Sequence, residues 1–461
     1  MARHYELAVI GSGSGGREAA LLGAGKGLRP AIIERAEVGG SCFHRGSYAV
    51  RTLQACARQF RDSWKSGRFG NQIDLLKTTL SDWMAAQRNV TARLVDDFRA
   101  QLERLNVDLI RGHGEFLNDR TVQVIGAQGS ESTITADNFI IATGSRPDFQ
   151  DNSRPRMMNS DGLLRISALP SRFVIVGAGY IGCEFASIYR TLGSEVTLIE
   201  KANRVLPAWE PEAADRVTEA LEMRGINIVL NREVAFNEIK ESESGIHIPG
   251  QRGGGVDADL ALMATGRQPN VEWLGLKALG IDDSSALQVD HRMRLASPGL
   301  YAVGDVTGKN LLDSTAFVQA NVAIHSILGQ ETRFEHEWAP RCIHTQPAVA
   351  TVGLTEADAA SKGIEFAVAI NSMRLASDDE RSVIDPEPTF VKAIVDSHTR
   401  NLLGCLVVGD HAAVVANIAS IAIRLRAPVD ELREIPLAQP SAADALMAVL
   451  RKLDWLKPVA K

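Results

Sequence analysis

Two glycine-rich turns of one design constrain the fold of this chain more than any other feature. Leu7-Ala8-Val9-Ile10 is a short apolar run of the buried parallel-strand kind. It leads into Gly11-Ser12-Gly13-Ser14-Gly15-Gly16, and a helical pattern opens at Arg17-Glu18-Ala19-Ala20. A GxGxxG between a strand and a helix lets the backbone approach a pyrophosphate, which sits on the helix N-terminus. The next apolar run, Ala31-Ile32-Ile33, ends in Glu34, the acidic residue expected to hold a ribose hydroxyl. The design repeats as an apolar run at 173–176, the turn Gly177-Ala178-Gly179-Tyr180-Ile181-Gly182, a helix, and a strand at 196–200. Glu200 lies as far after Gly177 as Glu34 lies after Gly11. A lone GxGxxG is often only a tight turn. Strand, helix, strand and terminal Glu, twice at equal spacing, predict an α/β chain with two Rossmann-like dinucleotide-binding domains.

The 461 residues suit roughly three domains of about 150 residues each. A helix over 51–65, a long helix over 75–105 and strands at 121–124 and 133–135 follow the first unit. A strand at 139–141 then runs into Ala142-Thr143-Gly144-Ser145-Arg146, and 155–170 reads as a linker. Ala264-Thr265-Gly266-Arg267 echoes that turn and should close the second unit. Strands at 348–351, 389–395 and 402–408, followed by helices, predict a C-terminal α+β domain. The net charge of −6 argues against nucleic-acid and anionic-membrane partners. No apolar run approaches the ~18–20 residues that span a bilayer. The first residues run straight into a strand with no room for a signal peptide, so the cytoplasm is the expected compartment. Cys42, Cys56, Cys183, Cys342 and Cys405 are scattered and odd in number, fitting neither a disulfide framework nor a metal site.

Between the first turn and the long helix stands Gly39-Gly40-Ser41-Cys42-Phe43-His44-Arg45-Gly46-Ser47-Tyr48-Ala49-Val50-Arg51. It resembles the redox-active segment of the flavoprotein disulfide reductases, the family of dihydrolipoamide dehydrogenase, glutathione reductase and mercuric reductase. The likeness extends to Gly299-Leu300-Tyr301-Ala302-Val303-Gly304-Asp305, similar to the family's second flavin motif, and covers essentially the whole chain. It implies a discontinuous FAD-binding domain (1–150 and 271–337), an NAD(P)-binding domain (151–270) and a dimerisation domain (338–461), hence a homodimer. FAD would be held by Gly11, Gly13, Gly16, Glu34, Gly40, Ser41, Gly144 and Asp305, with Gly114, Thr143 and Ala316 added to the cofactor-binding set. A helix over 314–328 should point its N-terminus at the flavin. The nicotinamide nucleotide would meet Gly177, Gly179, Tyr180, Gly182, Glu200 and Gly266. Glu200 favours NADH, because it would repel a 2′-phosphate, although Lys201 and Arg204 follow closely enough to soften that repulsion.

The family's segment holds two cysteines with four residues between them. Cys42 matches the first, the outer thiol, and Ser47 stands at the second, flavin-proximal position. A serine oxygen neither forms a disulfide nor accepts electrons. Gln439, in Gln439-Pro440-Ser441-Ala442-Ala443-Asp444, stands where the family's partner subunit supplies a histidine base, and an amide does not titrate near neutral pH. Cys42 is then either a lone reactive thiol at a helix N-terminus or a small residue packed beneath the flavin. Arg51 replaces a family lysine that pairs with a glutamate near flavin N5, and Glu184 fits that glutamate. Cys42, Arg51 and Glu184 are thus the candidate catalytic residues; His44 could face the acceptor or simply be hydrogen-bonded. The soluble pyridine nucleotide transhydrogenases also keep one cysteine, and Gly182-Cys183-Glu184-Phe185-Ala186-Ser187-Ile188 is similar to theirs. Three functions follow. The first is an FAD-dependent NAD(P)H oxidoreductase passing hydride directly to a small acceptor, a quinone or a second nicotinamide nucleotide. The others are a thiol-dependent reductase of the dihydrolipoamide dehydrogenase type using Cys42, and a flavin-binding sensor or structural protein.

Overall fold

The computed structural model describes residues 3–65, 78–250, 254–374, 388–438 and 441–453. They form two compact units, 1–169 with 265–335 and 170–264 with 336–461. The second nucleotide-binding region and the C-terminal region therefore share one unit.

In the first unit, β1 (Arg3–Ile10) lies at the centre of a sheet, parallel to β2 (Pro30–Glu34) on one side. On its other side runs β6 (Glu131–Ile141), also parallel. Leu7, Ala8 and Val9 are fully buried, as a parallel strand covered on both faces must be, and this explains their unbroken apolar run. β3 (Asp108–Arg111) extends the sheet beyond β2. β6 has two partners on its outer edge. Its first half pairs antiparallel with β5 (Thr121–Ile125), itself paired with β4 (His113–Asn118); its last residues pair parallel with Leu300–Ala302. The strand expected at 133–135 is thus the opening of one longer strand that ends at the Thr-Gly turn.

Four helices of this unit concern the site: α1 (Ser14–Gly25), the short α2 (Gly40–His44), α3 (Ser47–Lys65) and the Asp313–Ile327 helix. The Ser41 carbonyl accepts from both Arg45 N and Gly46 N, which closes α2 and lets α3 begin at Ser47 rather than at Arg51. The long helix expected over 75–105 runs over Leu80–Arg104, with 75–77 outside the described residues. Thr79 and Asp82 cap it reciprocally, Asp82 N donating to Thr79 Oγ1 and Thr79 N to the Asp82 carboxylate.

The second unit opens on a parallel sheet of Asn227–Val229, Glu195–Ile199, Arg172–Val176 and Leu260–Met263, in that order. The Tyr180–Leu192 helix buries Cys183, Phe185, Ala186 and Tyr189, and the Tyr189 ring packs 4.6 Å from that of Phe173. Gly193, at φ +107°, ends this helix in the left-handed conformation that suits glycine. The C-terminal sheet is antiparallel in the order Arg341–Ile343, Val349–Gly353, Leu402–Val408, Pro388–Asp396, Phe366–Arg374. The helices Ala412–Leu425 and Ala443–Lys452 join it around one apolar core. The first buries Ala412, Val415, Ala416, Ala419 and Ala422 and leaves Val414, Ile421 and Leu425 exposed. No helix among the described residues is long and apolar enough to cross a membrane.

Candidate cofactor and redox site

The two glycine turns have nearly the same geometry. Gly11 and Gly177 have φ of +103° and +104°, a region open to glycine and strained for other residues. Gly11 N donates to Ile33 O and Gly177 N to Ile199 O, both at 2.8 Å, tying each turn to the following strand. A Cβ added at Gly16 would lie 1.9 Å from Gly11 O, and one added at Gly182 would lie 1.9 Å from Gly177 O. In each turn the first glycine therefore makes the bend and the last lets the helix press against it. Gly13 and Gly179 are the helix N-caps, and a Cβ at either would meet no protein atom within 4 Å. Each turn thus presents open backbone at a helix N-terminus, which suits a pyrophosphate.

The acidic residues Glu34 and Glu200 hold the turns. Both are buried. Glu34 Oε2 accepts from Ser12 N at 2.8 Å and Ser12 Oγ at 2.6 Å, and its Oε1 accepts from Ala36 N at 2.7 Å. Glu200 repeats this with Ala178 N at 2.7 Å and Ala202 N at 2.9 Å. Ser12 Oγ also accepts from Gly39 N, which joins the first turn to the Cys42 segment. Gly40, at φ +62°, packs so near that turn that a Cβ would lie 2.7 Å from Gly13 Cα.

At the exit of β6, Thr143 Oγ1 donates to Asn270 O and Asn270 Nδ2 donates back to Thr143 O. Gly144, at φ +70°, opens onto free space. Ser145 Oγ donates to Asp305 Oδ2 at 2.5 Å and accepts from Arg267 Nε at 2.8 Å. Burial pushes the Asp305 carboxyl above its usual range, while the Ser145 hydrogen bond and the Arg267 charge pull the other way. Gly266 O accepts from Asp148 N. Ala316 is buried where the Asp313–Ile327 helix crosses α1 at Gly15. Thr315 Oγ1 and Gln319 Nε2, buried on that helix, have no hydrogen-bond partner. Gly114 lies on β4 against Val122, Ile33 and Ile10.

Cys42 and Ser41 are partly buried on α2. Burial, and then the charge of Asp313, push the Cys42 thiol up to about 12. His44 Nε2 lies 3.0 Å from Val38 O, so it has a backbone partner. Arg51 is exposed and donates to Gln54 on its own helix at 3.4 Å. In the second unit, Glu184 Oε1 accepts from His344 N at 2.7 Å. Tyr180 opens the helix that follows the second turn. Gln439 lies outside the described residues. None of the five cysteines forms a disulfide. Among the described residues, no group of three or more His, Cys, Asp and Glu could hold a metal.

Several partners in this site have no motif of their own in the sequence. Ser12, Ser14, Ser145, Arg267, Asn270 and Asp313 act through residues distant along the chain. The one available signal was Arg267, in the repeat of the Thr-Gly turn: Arg267–Pro269 pairs antiparallel with Ser145–Pro147.

The comparisons with known proteins agree with this geometry. A family model described as pyridine nucleotide-disulphide oxidoreductase matches residues 5–326, and the dimerisation-domain model of the same description matches 339–449. The dihydrolipoyl dehydrogenase of Thermus scotoductus is 32% identical over 469 residues, with 97% of each chain covered. The glutathione reductase of Burkholderia cepacia is 31% identical over 430 residues, covering 92% of this chain and 93% of its own. Among solved structures, LpdA from Mycobacterium tuberculosis has a TM-score of 0.89 at 25% identity, covering 98% of this chain and all of that one. The Cu(II) complex of the HOCl-induced flavoprotein disulfide reductase RclA from Escherichia coli has a TM-score of 0.85 at 26% identity, covering 98% and 99%. Members of the matched family carry FAD and use NAD(P)H. With both nucleotide turns and the C-terminal region inside the matched lengths, the chain belongs to the pyridine nucleotide-disulphide oxidoreductase family and is an oxidoreductase of that family.

Proposed function

We propose that this chain moves two electrons from NAD(P)H through FAD to a small acceptor, a quinone or a second nicotinamide nucleotide, without passing them through sulfur. FAD, when bound, supplies the two-electron carrier. The residues fit it: Gly13 and Gly144 present open backbone, Glu34 and Asp305 are buried acceptors, and Thr315 Oγ1 is a buried hydroxyl without a partner. The observation that carries the reading is Ser47 beside Cys42. No second sulfur stands at the position that would relay electrons. Gln439 adds to it, since loss of a general base alone costs a thiol reductase ~10²–10⁴-fold. Cys42, Arg51 and Glu184 remain the candidate catalytic residues of this reading. A homodimer fits the exposed apolar strip of Val414, Ile421 and Leu425.

Anaerobic titration of the FAD-loaded protein with NADH, followed by addition of acceptor, tests this. Full bleaching without long-wavelength charge-transfer absorbance is expected, since Cys42 matches the outer thiol and Ser47 the proximal one. A quinone should then restore the oxidised spectrum at a rate at least ~100-fold above lipoamide or glutathione disulfide. The names of the relatives favour the thiol-dependent reading, and brisk lipoamide turnover would establish that reading instead. Absence of bleaching would leave a flavin-binding sensor or structural protein.

Nicotinamide choice should favour NADH by about tenfold or more in kcat/KM, because a buried Glu at the ribose position repels a 2′-phosphate. Arg204, which could soften that repulsion, donates instead to the carbonyls of Pro207 and Trp209. Equal kcat/KM for NADPH would show that Lys201 and Arg204 outweigh Glu200.

A further inference from the structure

Arg267 grips Ser145 at two points. Its Nε donates to Ser145 Oγ and its Nη2 to Ser145 O, both at 2.8 Å. Arg267 stands opposite Pro147 in the pairing of their two short strands, and its side chain reaches back along the partner strand to Ser145. Asn270, just beyond that pairing, exchanges hydrogen bonds with Thr143, and its N donates to Gly144 O at 2.9 Å. The turn 143–145 is therefore held along its length by 267–270.

The direction of the next hydrogen bond follows from counting protons. A guanidinium carries donors only, so Ser145 Oγ must accept from it. The hydroxyl has one proton, and that proton goes to Asp305 Oδ2 at 2.5 Å. The charge of Arg267 thus reaches the carboxylate through a polarised hydroxyl. The main chain beside Asp305 is fixed separately. Gly304 N donates to Oε1 of the buried Gln319 at 2.7 Å, and Thr307 Oγ1 donates to Gly304 O at 2.8 Å. A fixed main chain still leaves the carboxylate free to turn about its side-chain bonds. The Ser145 hydroxyl selects one orientation.

We propose that Arg267 and Ser145 are positioning residues for the flavin: Arg267 orients the Ser145 hydroxyl, which holds Asp305 Oδ2 and presents Oδ1 to a ribityl hydroxyl of FAD. The inference rests on the assignment of Asp305 to the flavin and extends it to two residues that act through it. A carboxylate preset in this way gives up no rotamer freedom when the cofactor arrives.

Titration of the full-length apoprotein with FAD, and separately with ADP, tests this. ADP carries the pyrophosphate and adenosine that suit the first glycine turn but has no ribityl chain. Ser145→Ala should weaken FAD binding about 10-fold, the scale of one hydrogen bond to a charged group. Arg267→Met should act in the same direction, and both variants should bind ADP as the parent does. Asp305→Ala should weaken FAD at least as much as Ser145→Ala. In the Asp305→Ala background, Ser145→Ala should then cost less than about twofold more, because the two residues act as one unit. A role of Ser145 in the fold alone would instead lower FAD and ADP affinity together, and that result would overturn the proposal. So would full losses that add in the double variant, or a Ser145→Ala protein that binds FAD like the parent while Asp305→Ala does not. Parent-like FAD binding by Asp305→Ala would instead remove the assignment of Asp305 to the flavin, and the proposal with it. If Ser145→Ala fails to fold, Arg267→Met, alone and combined with Asp305→Ala, decides by the same comparisons.

Discussion

Gly16→Ala should emerge from purification without FAD, whereas Gly182→Ala should keep its FAD and lose reduction by NADH. In both cases the added Cβ would stand 1.9 Å from a carbonyl oxygen, that of Gly11 in one turn and of Gly177 in the other. The obstructing atom is backbone, so no rotamer change relieves it. The helix must move away from its turn, and its N-terminal N–H groups leave the place where a pyrophosphate would sit. A loss of at least ~100-fold in affinity for the nucleotide concerned is expected, about 2.7 kcal/mol or more. Flavin absorbance per protein after gel filtration measures the first effect, and stopped-flow bleaching by NADH measures the second. Gly13→Ala is the control that separates ligand from fold, since its Cβ meets no protein atom within 4 Å. The apoprotein of that variant should melt with the parent's, yet its FAD affinity should fall. Normal reduction of Gly182→Ala by NADH would refute the assignment of the second turn to the nicotinamide nucleotide.

These turns were legible in the sequence because their chemistry is local. Strand, bend, helix and acidic residue fall within one short stretch, and the buried parallel strands show as unbroken apolar runs. The helices expected after the C-terminal strands include Ala412–Leu425, a mostly apolar stretch. What escaped was assembled from distant segments. Asp313 looks like an ordinary acidic residue at a helix start, and nothing near it in sequence announces Ser14. The Arg267–Ser145–Asp305 chain exists only because two short strands pair across more than a hundred intervening residues. Ser47 stands at the position of a family cysteine and is also the residue that opens α3, four residues before Arg51. Glu34 and Glu200 were found, but their backbone partners show that each also fixes its own glycine turn.

Lys392 is the largest consequence that sequence reasoning passed over. In a strand it would be taken for a solvent-facing lysine, yet its side chain is 1% exposed. Its Nζ meets the carboxylates of Glu210, Glu212 at 2.9 Å and Glu356 at 3.0 Å. Burial alone would depress the ammonium, but the three carboxylates outweigh it and hold Lys392 above the usual lysine range. Its folded pKa is raised, so its contribution is complete at neutral pH and is lost only at strongly alkaline pH. Lys392→Met should therefore cost about 3 kcal/mol at pH 7, the low end for breaking a buried pair. The low end applies because Glu212 and Glu356 are 39% and 43% exposed and partly screened by solvent, leaving Glu210, at 10%, as the dominant partner. Burial already raises the Glu210 carboxyl in the parent, and without the ammonium it must rise further. A carboxyl with a raised folded pKa stabilises the fold below its unfolded value and loses that contribution as pH increases. The deficit of Lys392→Met should consequently be smaller at pH 5 than at pH 7 in chemical denaturation. Adding Glu210→Gln to Lys392→Met should recover part of the loss, because it removes the charge left buried. Equal deficits at both pH values, with no recovery in the double variant, would assign the loss to packing alone.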